Sequence, residues 1–201
     1  MENPNPKGGW IMFSTSNAEL HELLVSMGTL TIGNDFLKIE NYPFEPSLAF
    51  RQPLFTSSQI DDIDCSSYPV TIRVNDELIF LRTDKKAELE DFARKNNISV
   101  VKREMIWEWI LEPFLDTEYT EETDRRSMEV LSRYGFTPEL VSALRAEVET
   151  QMLKYNFDTM LWEWCVLGAS DVLRAMRTKY NKAEFSEFYK RVMSIALSGQ
   201  P

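Results

Sequence analysis

The order of apolar and polar residues changes character along the chain. In NAELHELLVSM, residues 17–27, the apolar Leu20, Leu23, Leu24 and Met27 fall at i, i+3, i+4 and i+7, one face of an amphipathic helix, and Gly28 is its expected stop. From residue 30 the period shortens. LTIGNDFLKIE sets apolar residues on both sides of Gly33-Asn34-Asp35, a hairpin signal because positive φ costs little there. Pro43, Pro46 and Pro53 forbid a long helix across residues 42–53. LAFRQPLF and QIDDIDC read as short strands, and VTIRV and ELIFL as a second hairpin around Asn75-Asp76. Within VTIRV, Val70, Ile72 and Val74 alternate with Thr71 and Arg73, the period of a strand with one wet face. Residues 84–97 turn helical, with Asp84 as the expected N-cap and Leu89, Phe92 and Ala93 as the buried stripe.

From residue 99 onward helical spacing takes over, in segments 100–115, 120–134, 138–155, 157–179 and 182–197. Thr120 is placed to cap, with Glu121 and Glu122 at the positive end of the helix dipole. Gly135 stands where a left-handed residue ends a helix, and Thr137-Pro138-Glu139 supplies a cap, a first-position proline and an acid in the first turn. Asn181 precedes the last segment. The expected class is therefore α+β: an N-terminal antiparallel β domain closed by a capping helix over residues 1–98, then an all-α bundle over residues 99–201.

Three stretches carry a family resemblance. They are the hairpin LTIGNDFLKIE, the middle piece QIDDID, and VNDELIFLRTDKKAELEDFARKN, where a last strand runs into the capping helix. Over roughly residues 28–97 this order resembles a pleckstrin-homology-like domain of the GRAM and bacterial PH kind. The resemblance implies a PH-like barrel and a scaffold for phosphoinositide or peptide binding. Lipid-binding members use basic residues around the first hairpin; here Lys38 stands against Asp35 and Glu40, so contact with a protein or peptide is the better expectation. The Pro-rich piece 43–53 and the helix ahead of the first hairpin depart from the family pattern.

Charge narrows the partners. The formal net charge is −10, with 15 acids against 9 bases in residues 1–99 and 17 against 13 in residues 100–201. Neither half as a whole suits nucleic acid or an anionic membrane. The segments 120–134 and 138–155 mimic a DNA-reading helix pair, yet the second offers Arg145 against Glu139, Glu147 and Glu149. The most apolar stretches are broken by Glu108 and Glu163, short of the ~20 residues that cross a bilayer, so no membrane insertion is expected. MENPNPKGGW has no basic start followed by an apolar run, and the two cysteines, Cys65 and Cys165, form no Cys-x-x-Cys pair. The expected location is the cytoplasm, with both thiols reduced.

The triplet Trp-Glu-Trp occurs twice, in MIWEWILEPF (105–114) and TMLWEWCVLG (159–168). On helices the apolar residues of both copies cover most of the circle, which makes them central bundle helices with the glutamates at a polar edge. The sharper alternative pairs Glu108 or Glu112 with Glu163 across a pocket, two carboxylates that would divide acid and base work in a hydrolase. Pro113 kinks or ends the first copy, and a strand reading of IWEWIL survives. A di-iron site needs Glu-x-x-His, and the half from residue 100 onward holds no His. His21, the only histidine, lacks the second His of a zinc helix and any triad partner. Asp61, Asp62 and Asp64 open like a calcium loop, but the glycine is missing and the twelfth position from Asp62 is Arg73; a solvated strand end is the plainer reading. No cofactor or metal is expected.

The acidic run DTEYTEETD, residues 116–124, offers Asp116, Glu118, Glu121, Glu122 and Asp124 as a surface for a basic partner. The leading expectation is a non-catalytic interaction module that binds a protein through this surface or a sheet edge. An acidic inhibitor or immunity-type protein shares the same charge evidence. Oligomeric state and partner identity have no signature in the chain.

Overall fold

The structure, a computed structural model, describes residues 27–115, 119–159 and 166–199. The chain is α+β, with strands in its N-terminal half and helices in the C-terminal half. Strands β1 (Thr29–Ile32), β2 (Phe36–Glu40) and β3 (Leu54–Thr56) form an antiparallel sheet in the order β1-β2-β3. The second sheet holds β4 (Asp62–Asp64), β5 (Val70–Val74), β6 (Glu77–Leu81) and β7 (Ser99–Val100) in the order β6-β5-β4-β7. Among the described residues no strand pairing joins the two sheets into a closed barrel. One ladder departs from the antiparallel expectation: β7 runs parallel to β4, pairing Ile63 with Val100, after the helix α2 (Lys86–Asn96) has carried the chain back.

Both hairpins lie where the apolar pattern places them, though none of Gly33, Asn34 and Asp35 has a positive φ. Leu30 faces Ile39 across the first, and Val74 faces Glu77 across the second, whose turn residue Asn75 has φ 54°. Leu89, Phe92 and Ala93 are the buried residues of α2, as their spacing requires. Asp84 does not cap it. That carboxylate is held by Arg82, Nε to Oδ1 at 3.0 Å, and the chain enters α2 through a 3-10 turn at Thr83–Lys85. LAFR is not strand either: α1 (Leu48–Arg51) is one helical turn held between Pro46 and Pro53, with only LFT continuing as β3.

The wet face expected for VTIRV is dry at Thr71, while Arg73 keeps 30% side-chain exposure. Val70, Thr71, Ile72 and Val74 are all buried, and so is every residue of β6, because the C-terminal helices cover the second sheet. Those helices are α3 (Ile106–Leu111), α4 (Glu121–Arg133), α5 (Pro138–Thr159), α6 (Ala169–Met176) and α7 (Lys182–Leu197). Thr120 caps α4 through its Oγ1, which accepts from the Thr123 N–H at 3.2 Å, and Asn181 caps α7 from Ala183 and Glu184. Gly135 has φ 83° at the end of α4. The helix expected over 157–179 is interrupted: residues 166–168 are not helical and α6 starts afresh at Ala169. Pro113 sits in a 3-10 turn, Glu112–Phe114, that ends α3, as a proline missing its N–H should. The buried residues of sheets and helices form one cluster. No helix among the described residues is long and apolar enough to cross a membrane.

Two buried polar groups tie the halves together. Asp62 and Asp64 are not a solvated strand end but are buried. Asp62 accepts from Arg73 Nε at 2.7 Å and pairs with Arg103, which itself is 5% exposed. Asp64 accepts from the Arg103 backbone N–H at 2.8 Å and from Ser66 and Ser67. Arg73 thus fills the place that a calcium loop would give to glutamate, opposite Asp62 in the ladder. The second group is Glu77, at the start of β6, which meets α1 and α7.

Candidate functional site

Helix α7 is built in steps of four. Pairs beginning at Phe185, Tyr189, Met193 and Leu197 each set an apolar residue beside a polar one, so the seam between its buried and wet faces runs straight along the helix. Opposite that seam stand α1 and the Asn75-Asp76 turn. Together they bound a groove of about 1220 Å³. Small-molecule pockets run to roughly 1,000 Å³ and are mostly enclosed, so this groove is larger than a metabolite needs.

Local chemistry explains its wall. Ser47 caps the single turn of α1 by accepting from the Ala49 N–H at 3.0 Å, and Gln52 closes it onto the Leu48 carbonyl at 2.7 Å. Ala49 takes the core side and is 2% exposed. Phe50, one position on, is turned outward and is 50% exposed, a large aromatic side chain on the groove wall. Beneath it lies Glu77. Its carboxylate accepts from the Leu48 N–H at 3.0 and 3.1 Å, from Tyr189 Oη at 2.8 Å and from Ser47 Oγ. Burial beside this carboxylate pushes the Tyr189 phenol far above its ordinary value, so the hydroxyl stays a donor. Phe44 adds an aromatic seam, 6.2 Å from the Tyr189 ring and 6.3 Å from Phe80.

The residues singled out by sequence lie elsewhere. Trp107 is core, 2% exposed, with its Nε1 donating to the Val192 carbonyl at 3.0 Å. Trp109 is half-buried, donates to Glu104 at 2.6 Å and carries the Arg126 guanidinium 5.6 Å from its ring centre. Glu108 is half-buried and its carboxyl is pushed up to about 7, by burial first, then by the negative charges of Glu104 and Asp171. Asp171, also raised by burial, accepts from the Gly168 N–H at 2.9 Å and from Tyr155 Oη at 3.1 Å. Glu112 turns to a different neighbour and accepts from Ser127 Oγ of α4. Neither Glu108 nor Glu112 lines the groove. Glu163 lies outside the described residues, and the pairing imagined for it lies there too.

A carboxyl near 7 has a direct consequence. Between about pH 4.5 and 7 native Glu108 holds a proton that the unfolded chain has lost, so its burial opposes folding increasingly as pH rises through that window. Discounted for its partial exposure, the cost at pH 8 is on the order of 1 kcal/mol. Glu108→Gln is expected to raise the unfolding midpoint at pH 8 and to leave it unchanged near pH 4.5, checked by thermal melts across that range.

Of the acidic run, Asp116 and Glu118 lie outside the described residues. Glu121 and Glu122 are exposed, and Glu122 pairs with Arg125 at 2.6 Å, which holds its carboxyl below the usual range. Asp124 accepts from Tyr119 Oη and from Arg145 Nη1 at 3.0 Å; the Tyr119 hydrogen bond, then Arg145, lowers its pKa. Two of the three described acids are therefore occupied within the chain. Cys65 is buried and its thiol is pushed up to about 11 by that burial, an unreactive group. Cys165 and His21 lie outside the described residues. Among the described residues no cluster of three His, Cys, Asp or Glu side chains is arranged to hold a metal.

Sequence reasoning missed the groove. Its one legible signal was the four-residue repeat of apolar-polar pairs from Phe185 to Ser198. Set against protein-family models, curated proteins and solved structures, the chain has no match.

Proposed function

We propose that this protein is a non-catalytic interaction module of the cytoplasm and that it binds a protein partner in the groove between α1, the β5–β6 turn and α7. The single observation that carries this is the half-exposed Phe50 on the wall of an open, largely apolar groove, a side chain whose exposure costs the free chain hydrophobic stabilisation that docking would regain. The groove's length along four turns of α7 suits a helix or extended peptide. A buried free Cys65 fits a reducing compartment. Within this proposal the β half serves as a pleckstrin-homology-like scaffold, supported by two hairpins, the second of which leads into α2.

Glu108 has a pKa suited to acid-base work, but among the described residues the charges that act on it are carboxylates and it does not line the groove, so the groove lends the hydrolase alternative no support. The test is a photo-crosslinking side chain at position 50. A protein captured there is then purified and titrated against the whole chain. Saturable binding to the wild type and loss of at least tenfold with Phe50→Asp is expected. Equal binding to both would refute docking at this wall.

A further inference from the structure

The groove is electrically unlike the rest of this acidic chain. Four cations line it, Arg51, Arg177, Lys182 and Lys190, against Glu45, Asp76 and Glu77. Glu77 is saturated by Ser47, Leu48 and Tyr189, Glu45 and Lys182 pair at 3.3 Å, and Lys190 pairs with Glu187 at 2.7 Å, which leaves Arg51 and Arg177 against Asp76. Three of the cations gather around one bend of chain, Pro43–Ser47. Arg177 donates to the Pro43 carbonyl at 2.8 Å, Lys182 pairs with Glu45, and Arg51 donates to the Pro46 carbonyl at 3.1 Å.

Outside the groove, Arg73, Arg82, Arg94, Arg103, Arg125, Arg145 and Arg191 stand in ion pairs with carboxylates, while among the described residues Arg126 and Arg133 do not. Arg51 and Arg177 stand in none among the described residues, and both are exposed. Each is instead oriented by backbone carbonyls, which use only part of a guanidinium's five N–H groups and leave the remainder to face a ligand. In a chain of net charge −10, two oriented arginines without a carboxylate, beside an exposed Phe50, form a site with an unmet preference for negative charge.

We infer that the groove takes an acidic amphipathic segment of a partner protein, its apolar side chains against Leu48 and Phe50 and its carboxylates on Arg51 and Arg177. This rests on the docking proposal and reverses the polarity that the acidic composition suggests: the partner brings the acids.

The test uses a random library of peptides about 12 residues long displayed on phage, selected on the whole chain. Enriched peptides are expected to combine Asp or Glu with Leu, Phe or Trp. Their affinity is expected to fall at least tenfold with Arg51→Glu/Arg177→Glu, and to weaken as salt rises from about 0.1 to 0.5 M. Replacing the peptide acids by Lys is expected to restore binding to that double variant, which also shows that the variant is folded. Peptides that Phe50→Asp abolishes but that carry no acidic preference overturn this inference and leave the docking proposal standing. A selection that yields no peptide sensitive to Phe50→Asp overturns both.

Discussion

Glu77→Ala is expected to destabilise the fold by about 3 kcal/mol, since it strands the Leu48 N–H and the Ser47 and Tyr189 hydroxyls, each a buried donor worth roughly 1–3 kcal/mol when unmet. Water entering from the adjacent groove offsets part of the sum. For a chain of this size that corresponds to a midpoint about 6–12 °C lower. Glu77→Gln keeps one acceptor oxygen but turns an amide toward donors, so it should cost roughly half as much. Chemical denaturation of the two variants checks both figures. A change below about 0.5 kcal/mol for alanine would mean that this carboxylate does not hold α1 and α7 to the second sheet. The same variant should loosen the groove wall, because the Leu48 N–H at the head of α1 is pinned by Glu77.

The second large effect belongs to Asp62. Arg103 is 5% exposed, its Nε and Nη1 have no partner among the described residues, and burial already lowers its pKa. Asp62→Ala removes its ion-pair partner and leaves a buried guanidinium uncompensated, at a cost of about 3–5 kcal/mol. Adding Arg103→Met takes the orphaned charge away and is expected to recover most of the loss, since the Asp64 contact to the Arg103 backbone N–H survives. A coupling of at least about 2 kcal/mol in the double-mutant cycle is expected from equilibrium unfolding. Strict additivity would show that the pair is not the unit that secures β4 to the chain entering α3.

Much of the local structure was legible because it depends on neighbours in sequence. Asn75-Asp76 turns on a positive φ at Asn75, Gly33-Asn34-Asp35 turns without one, Thr120 and Asn181 cap, and Leu89, Phe92 and Ala93 share a face of α2. What failed depends on packing between distant segments. Thr71 looked wet because a strand's period cannot say that a helical half will cover its second face. Asp62 and Asp64 looked like a solvated end because their partner Arg103 comes about forty residues later. LAFR looked extended because a single turn between prolines has too few residues to show helical spacing.

The candidate site was less legible still. Glu77 reads as the ordinary first residue of a strand, and nothing local connects it with Ser47, 30 residues before, or Tyr189, 112 residues after. Charge counting also says nothing of this surface. A net charge is a sum over the chain, whereas a groove is defined by the few side chains that fold beside it, here Arg51 and Arg177. The acids that seemed free, Glu122 and Asp124, are engaged by Arg125, Arg145 and Tyr119.

The central claim is that this groove is where the protein meets its partner. Its most direct measurement is an amide chemical-shift map of the isotope-labelled chain titrated with the highest-affinity selected peptide. Shifts confined to Leu48–Arg51, the Asn75-Asp76 turn and the groove face of α7 are the expected result. Shifts centred on Glu121–Asp124 or on the residues around Glu108, with the groove unmoved, would contradict it.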